Sequence, residues 1–125
     1  MFKKGESMVD KLKLVPLRIP NGWKVVWNIF TEVNPNEFMN DDYEYKWEFN
    51  EDILYMVYED ELYGLDLGWY PGFNSEGEYC LRVITHNDWE QTIDEFRSRN
   101  INEIKDKIES FLGKYNYSYY NKQNQ

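Results

Sequence analysis

One cysteine, Cys80, and one histidine, His86, stand in the whole chain. A lone thiol excludes a disulfide within the chain and makes a reducing, cytosolic setting the default expectation. One His with one Cys also excludes a zinc set of the usual nitrogen and sulfur kind built from a single copy. No apolar run approaches the roughly 20 residues of a membrane helix. The opening Met-Phe-Lys-Lys-Gly-Glu-Ser has no hydrophobic run after its lysines, so it does not read as a secretory signal. No Gly-x-x-x-x-Gly-Lys phosphate loop and no Gly-x-Gly-x-x-Gly fingerprint occurs. None of Ser7, Ser75, Ser98, Ser110 or Ser118 sits in a Gly-x-Ser-x-Gly elbow. His86 has Asp88 as its sole nearby carboxylate, and His-Asn-Asp reads as a solvated turn rather than a catalytic centre. No catalytic residue, cofactor site or metal site is expected, and the chain reads as a non-enzyme.

Positive charge is the next scarcity. Between Glu37 and Glu61 lie ten acids (Glu37, Asp41, Asp42, Glu44, Glu48, Glu51, Asp52, Glu59, Asp60 and Glu61), opposed by Lys46 alone. The rest of the chain is balanced, so this window carries the whole formal net charge of −9. Such a field repels nucleic acid and anionic membranes and attracts basic partners.

Aromatic residues are abundant at 18%, with 11 tyrosines among them, which favours a sheet-rich fold. The 125 residues suffice for one domain with a real core. The chain is organised around residues 62–83. Leu65, Leu67 and Trp69 alternate with Asp66, Gly68 and Tyr70, the period of a strand with one buried face. Pro71-Gly72 and Asn74-Ser75-Glu76-Gly77 force a turn, after which Tyr79, Leu81 and Val83 resume the alternation. This predicts an antiparallel hairpin at the centre of a sheet. Gly68, inside a strand, predicts a bulge or a close backbone approach.

Before the hairpin, residues 1–10 are polar and expected to fray. Residues 11–19 suggest an edge strand interrupted by Pro16. Pro20-Asn21-Gly22 marks a turn, and residues 23–33 a second strand ending at Asn34-Pro35-Asn36. Tyr43, Tyr45, Trp47 and Phe49 alternate with Glu44, Lys46 and Glu48, which predicts a third strand. Residues 53–58 are short enough for strand or helix, and their Val and two Tyr favour the strand, with a turn at Glu59-Asp60-Glu61.

After the hairpin, residues 89–99 read as a weaker strand. Asn100 then caps a helix over residues 100–112, with Glu103 completing a box-like cap. Ile101, Ile104, Ile108, Phe111 and Leu112 fall on one helical face, and Gly113 is placed to end the helix in left-handed geometry. Residues 115–125 read as a polar tail with little to pack on. The fold class is therefore α+β: a largely antiparallel sheet of five or six strands, with one C-terminal amphipathic helix on one face, in a single domain over residues 11–114.

The acidic window alternates with large aromatics, which suits a surface that docks a basic protein, charges steering and rings anchoring. On this basis the partner-binding candidates are Asp41, Asp42, Tyr43, Glu44, Tyr45, Glu48, Glu51, Asp52, Glu59, Asp60 and Glu61. The same residues are also compatible with a plain solvated surface over a core of rings. A cavity lined by Trp47, Trp69 and Tyr79 would instead mark a small-ligand or peptide module. Two carboxylates converging in a cleft would mark a carboxylate enzyme.

Four stretches resemble one another's counterparts in a known group. They are Lys13-Leu14-Val15-Pro16-Leu17-Arg18-Ile19-Pro20-Asn21-Gly22-Trp23, Leu65-Asp66-Leu67-Gly68-Trp69-Tyr70-Pro71, Gly77-Glu78-Tyr79-Cys80-Leu81-Arg82-Val83-Ile84, and Asp88-Trp89-Glu90 ahead of residues 97–112. Together they resemble small bacterial proteins, often of Bacillus type, encoded beside polymorphic or contact-dependent inhibition toxins: their immunity proteins. The resemblance covers about residues 12–112. It implies a protein that binds and blocks a toxin domain, for instance a nuclease, in keeping with the cytoplasmic location expected from the lone cysteine. The shared residues are strand and turn residues, so no functional residue carries over.

Overall fold

The computed structural model describes residues 12–85 and 88–123. Strands β1 (Trp23–Asn28), β2 (Leu54–Tyr58), β3 (Tyr63–Tyr70), β4 (Glu78–Thr85) and β5 (Asp88–Ser98) form one antiparallel sheet. Their order in space is their order in sequence. Helix α1 (Ile101–Lys114) and a short helix α2 (Tyr117–Gln123) follow. The α+β class is as expected, and no helix among the described residues is long and apolar enough to cross a membrane.

The predicted hairpin is present, with Trp69 opposite Tyr79 and Leu67 opposite Leu81. β3 holds the middle of the sheet and β4 lies next to it. The Tyr70–Pro71 peptide bond is cis. One face of the sheet carries the core. Leu54, Met56, Leu65, Leu67, Trp69, Tyr79, Leu81 and Val83 meet Ile104, Ile108, Phe111 and Leu112 of α1. Burying each such side chain contributes roughly 1.5–3 kcal/mol. α1 starts where Asn100 Oδ1 accepts from the amides of Asn102 and Glu103, at 2.9 and 3.0 Å. Glu103 does not reach back to the cap itself. Its carboxylate accepts from Ser98 Oγ at 2.6 Å, and that oxygen accepts from Asn100 N at 2.9 Å. The box therefore closes through Ser98.

The strand expected over residues 43–49 is absent. Those residues form turns and a 3₁₀ segment, Lys46–Glu48, inside the long β1–β2 connection. Tyr45 and Phe49 are buried four residues apart, while Trp47 between them is 61% exposed. Rings at every second position satisfy a helical turn at i and i+4 as well as a strand, and packing chose the former. Phe49 fits against Trp69 at 4.7 Å and Phe38 at 4.9 Å between ring centroids.

Residues 12–19 form no strand either. Leu14 makes only an isolated bridge to Thr31. β1 stops at Asn28 because Asn28 Oδ1 turns back to accept from Phe30 N at 2.9 Å, and Phe30 then enters the core. Residues 53–58 are strand, as favoured.

At the C-terminus two expectations give way. Gly113 lies within α1 and has no positive φ. The residues from Tyr115 onward are not a bare tail. Tyr115 is buried, its hydroxyl donates to Asp94 Oδ2 at 2.6 Å, and its ring meets Tyr63 and Tyr119. A tyrosine ring buries apolar area while its hydroxyl finds an acceptor, so a polar-looking stretch packs. The expected frayed residues 1–10 and the His86-Asn87 turn lie outside the described residues.

Candidate functional site

The acidic window is exposed but divided. Glu59, Asp60 and Glu61 form the β2–β3 turn, with Asp60 and Glu61 both at φ 56°. Glu51 and Asp52 precede β2, at the opposite end of the sheet. The strand between them spans roughly 17 Å at about 3.3 Å per residue. Asp41, Asp42, Glu44 and Glu48 belong to the connection whose Phe38 and Phe49 pack on the α1-bearing face. The length of β2 thus separates Glu51 and Asp52 from Glu59–Glu61, while Asp41, Asp42 and Glu44 lie in the connection that leads to β2.

Of the aromatic candidates, Tyr45 is core and Tyr43 is half-buried. The Tyr43 hydroxyl donates to Glu37 Oε1 at 3.1 Å, and burial together with that carboxylate raises its pKa. Among the described residues, Asp41, Asp42, Glu44, Glu48, Glu51, Asp52, Glu59, Asp60 and Glu61 make no ion pair. The cations instead pair with acids outside the window: Arg82 with Asp66, Arg97 with Glu78 and Glu95, Lys114 with Asp94. Besides Glu37, two further window acids accept hydrogen bonds from neutral groups. Thr31 Oγ1 donates to Glu48 at 3.2 Å, and the Tyr117 hydroxyl donates to Asp60.

The second face of the sheet presents what sequence reasoning missed. Cross-strand pairing aligns Trp27, Tyr55, Asp66, Arg82 and Glu95 in one row, one residue from each strand. Asp66 at its centre is 5% exposed, though neither helix packs over it. Glycines explain this. A Cβ on Gly64 would stand 3.2 Å from the Tyr55 hydroxyl, and one on Gly68 would stand 2.8 Å from the Tyr70 ring. With only hydrogens there, both tyrosines lie down on the sheet beside Asp66. A Cβ on Gly68 would also run into the Glu51 carbonyl, the close backbone approach that its position in a strand predicts.

Burial pushes the Asp66 carboxyl up to about 6, against the opposing pull of Arg82, whose Nη2 is 3.3 Å away. The raised carboxyl is still mostly ionised at neutral pH.

A cavity of about 360 Å³ opens on this face, lined by Trp27, Asp52, Leu54, Tyr55 and Asp66. Trp27 Nε1 donates to the Asp52 carbonyl at 2.9 Å, which fixes one wall. A second depression of about 330 Å³ lies along the same strands, between Lys24, Val26, Val57 and the Glu59–Glu61 turn. Asp52 and Glu59–Glu61 therefore rim the β1–β2 half of the open face from its two ends.

Trp47, Trp69 and Tyr79 do not share a cavity. Trp69 and Tyr79 stack in the core at 5.1 Å, and Trp47 sits outside against Phe73 at 4.9 Å. Asp52 and Asp66 do line one cavity, where Arg82 holds Asp66 at 3.3 Å. Among the described residues no group of three or more His, Cys, Asp or Glu could hold a metal ion. The row depends on the bulge between Val25 and Trp27, which turns Trp27 to this face, and no sequence signal marks that bulge.

No family model matches the chain, and no curated protein or solved structure matches it. The likeness to immunity proteins rests on the quoted motifs alone.

Proposed function

We propose that this protein acts by binding, as a stoichiometric inhibitor of a basic toxin domain, with no catalytic step and no cofactor. A nuclease is the toxin class that fits best, because a site built for a polyanion is basic and an acidic surface can occupy it. The observation that carries this is the division of labour among the acids. Nine of the window have no cationic partner among the described residues, whereas Asp66, Glu78, Asp94 and Glu95 are paired. Unpaired surface charge contributes little to folding and much to the rate and selectivity of encounter.

One part of the surface suits such a contact. The β1–β2 half of the open face combines exposed Trp27, 51% accessible, with half-buried Tyr55 and a rim of Asp52 and Glu59–Glu61. An aromatic centre inside a charged rim is the arrangement of binding hot spots. The test is binding to the toxin domain encoded next to this gene, measured across salt concentrations. Tight binding that weakens as salt rises supports the proposal. Absence of binding, or affinity indifferent to salt and to Lys substitution of these acids, overturns it.

A further inference from the structure

We propose that the cavity beside Trp27 receives an arginine or lysine side chain from an extended segment of the partner, paired along the open edge of β1. This rests on the binding role just proposed and names how that partner is gripped.

The walls are those of a cation site. Trp27 and Tyr55 offer aromatic rings, and Asp52 and Asp66 offer two carboxylates, while among the described residues Arg82 is the cation that pairs with Asp66. One negative charge is left uncompensated in a partly desolvated space. An alkyl stem can lie against the two rings while its charged head meets the acids.

The edge supplies the rest. β1 ends the sheet on one side, and Val25 and Val26 are 40% and 55% exposed along it. β5 ends it on the other, with Glu90, Asp94, Glu95 and Arg97 along its length and Ile93 exposed among the residues whose side chains are described. Charges of that kind discourage strand addition, whereas an apolar terminal strand invites it. A segment added to β1 places alternate side chains on the open face, so one of them stands next to Trp27. The acids at both ends of β1 select a basic segment over a second copy of this acidic chain.

The experiment follows the indole N–H signals of the 15N-labelled protein by NMR, that of Trp27 being identified by its loss in Trp27→Phe. Three probes are titrated: the peptide acetyl-Thr-Val-Thr-Arg-Thr-Val-Thr-amide, the same peptide with neutral citrulline for arginine, and arginine amide alone. The arginine peptide is expected to shift the Trp27 indole and the amides of Lys24 and Val26. The citrulline peptide and free arginine amide should each bind at least about tenfold more weakly, and Asp52→Asn should weaken the arginine peptide by about fivefold. Equal binding of the arginine and citrulline peptides overturns the cation site. Arginine amide binding as tightly as the peptide shows a small-molecule site instead. Shifts along β5, or a dimer through β1 in sedimentation without peptide, overturn the assignment of the edge. Salt-sensitive toxin binding that survives Trp27→Ala and Asp52→Asn would sink this inference alone. A toxin that never binds would sink the parent proposal, whatever the peptides do.

Discussion

Tyr55 lies over Gly64, with its hydroxyl 3.2 Å from the point where a Cβ would stand. The pairing lets a tyrosine roof a buried carboxylate on a sheet face that neither α1 nor α2 covers. The same device recurs at Gly68 under Tyr70, and there the backbone is closer still.

Gly68→Ala should be severely destabilising. Its methyl would meet the Glu51 carbonyl oxygen at 2.3 Å, and backbone cannot yield as a side chain can. The expected loss is about 2–4 kcal/mol, typical of strained core positions. Gly64→Ala meets the Ile84 side chain at 2.9 Å and should cost less. Thermal unfolding of the two variants checks the order, and a milder effect at Gly68 than at Gly64 would contradict the geometry.

Asp66 should give the protein a distinctive acid profile. Its carboxyl is held at about 6 in the folded chain, above the ordinary 3.8. The folded state therefore binds this proton more tightly than the unfolded state between those values. Its contribution to stability rises as pH falls from about 6 toward 4 and is lost as pH climbs back. Arg82 on β4, Asp52, Tyr55 on β2, and Tyr70 and Cys80 beside the row are the charged and titratable groups that face it. Denaturant unfolding at pH 4, 5, 6 and 7 should show a slope for the native chain that Asp66→Asn removes, amounting to roughly 2–3 kcal/mol at most. Parallel profiles for the two proteins would show that Asp66 is not raised.

Arg99 should be a structural keystone. Its guanidinium donates to the carbonyls of Ser75, Gly77 and Pro35 and lies 5.0 Å over the Trp69 ring. It ties the β3–β4 turn to the β1–β2 connection. Arg99→Ala strands those acceptors and should cost about 2–3 kcal/mol, and Arg99→Lys should recover only part, because a point donor cannot serve a fork of acceptors. Full rescue by lysine, read as melting temperature, would argue against the fork.

Charge reversal should separate the two acidic groups. Lys at Asp52, Glu59 and Glu61 should slow association with a basic toxin domain by about tenfold or more at low salt. Lys at Asp41, Asp42 and Glu44, in the β1–β2 connection, should have a smaller effect. Stopped-flow association rates give the comparison, and a larger effect from the second set would move the binding surface to the β1–β2 connection.

The hairpin and the α1 cap were legible because their signals are local. Alternation around Pro71-Gly72 and an Asn three residues before Glu103 each describe a structure made by neighbours in sequence. Residues 43–49 were misleading for the opposite reason. Their rings alternate, but only contact with Phe38 and Trp69 decides which of them turn inward. Tyr115 and α2 were missed because tyrosine is counted as polar where its ring does the packing. The row from Trp27 to Glu95 was beyond reach altogether. It exists only through four registers, and one irregularity in β1 sets its first member.

The unlike margins of the sheet carry a consequence for assembly size. A guest strand laid against Val25 and Val26 finds no matching welcome at the far side, where β5 presents carboxylates and a guanidinium. A copy that paired through β1 would leave the charged β5 strands as the outer margins, which disfavours stacking into fibres of its own kind.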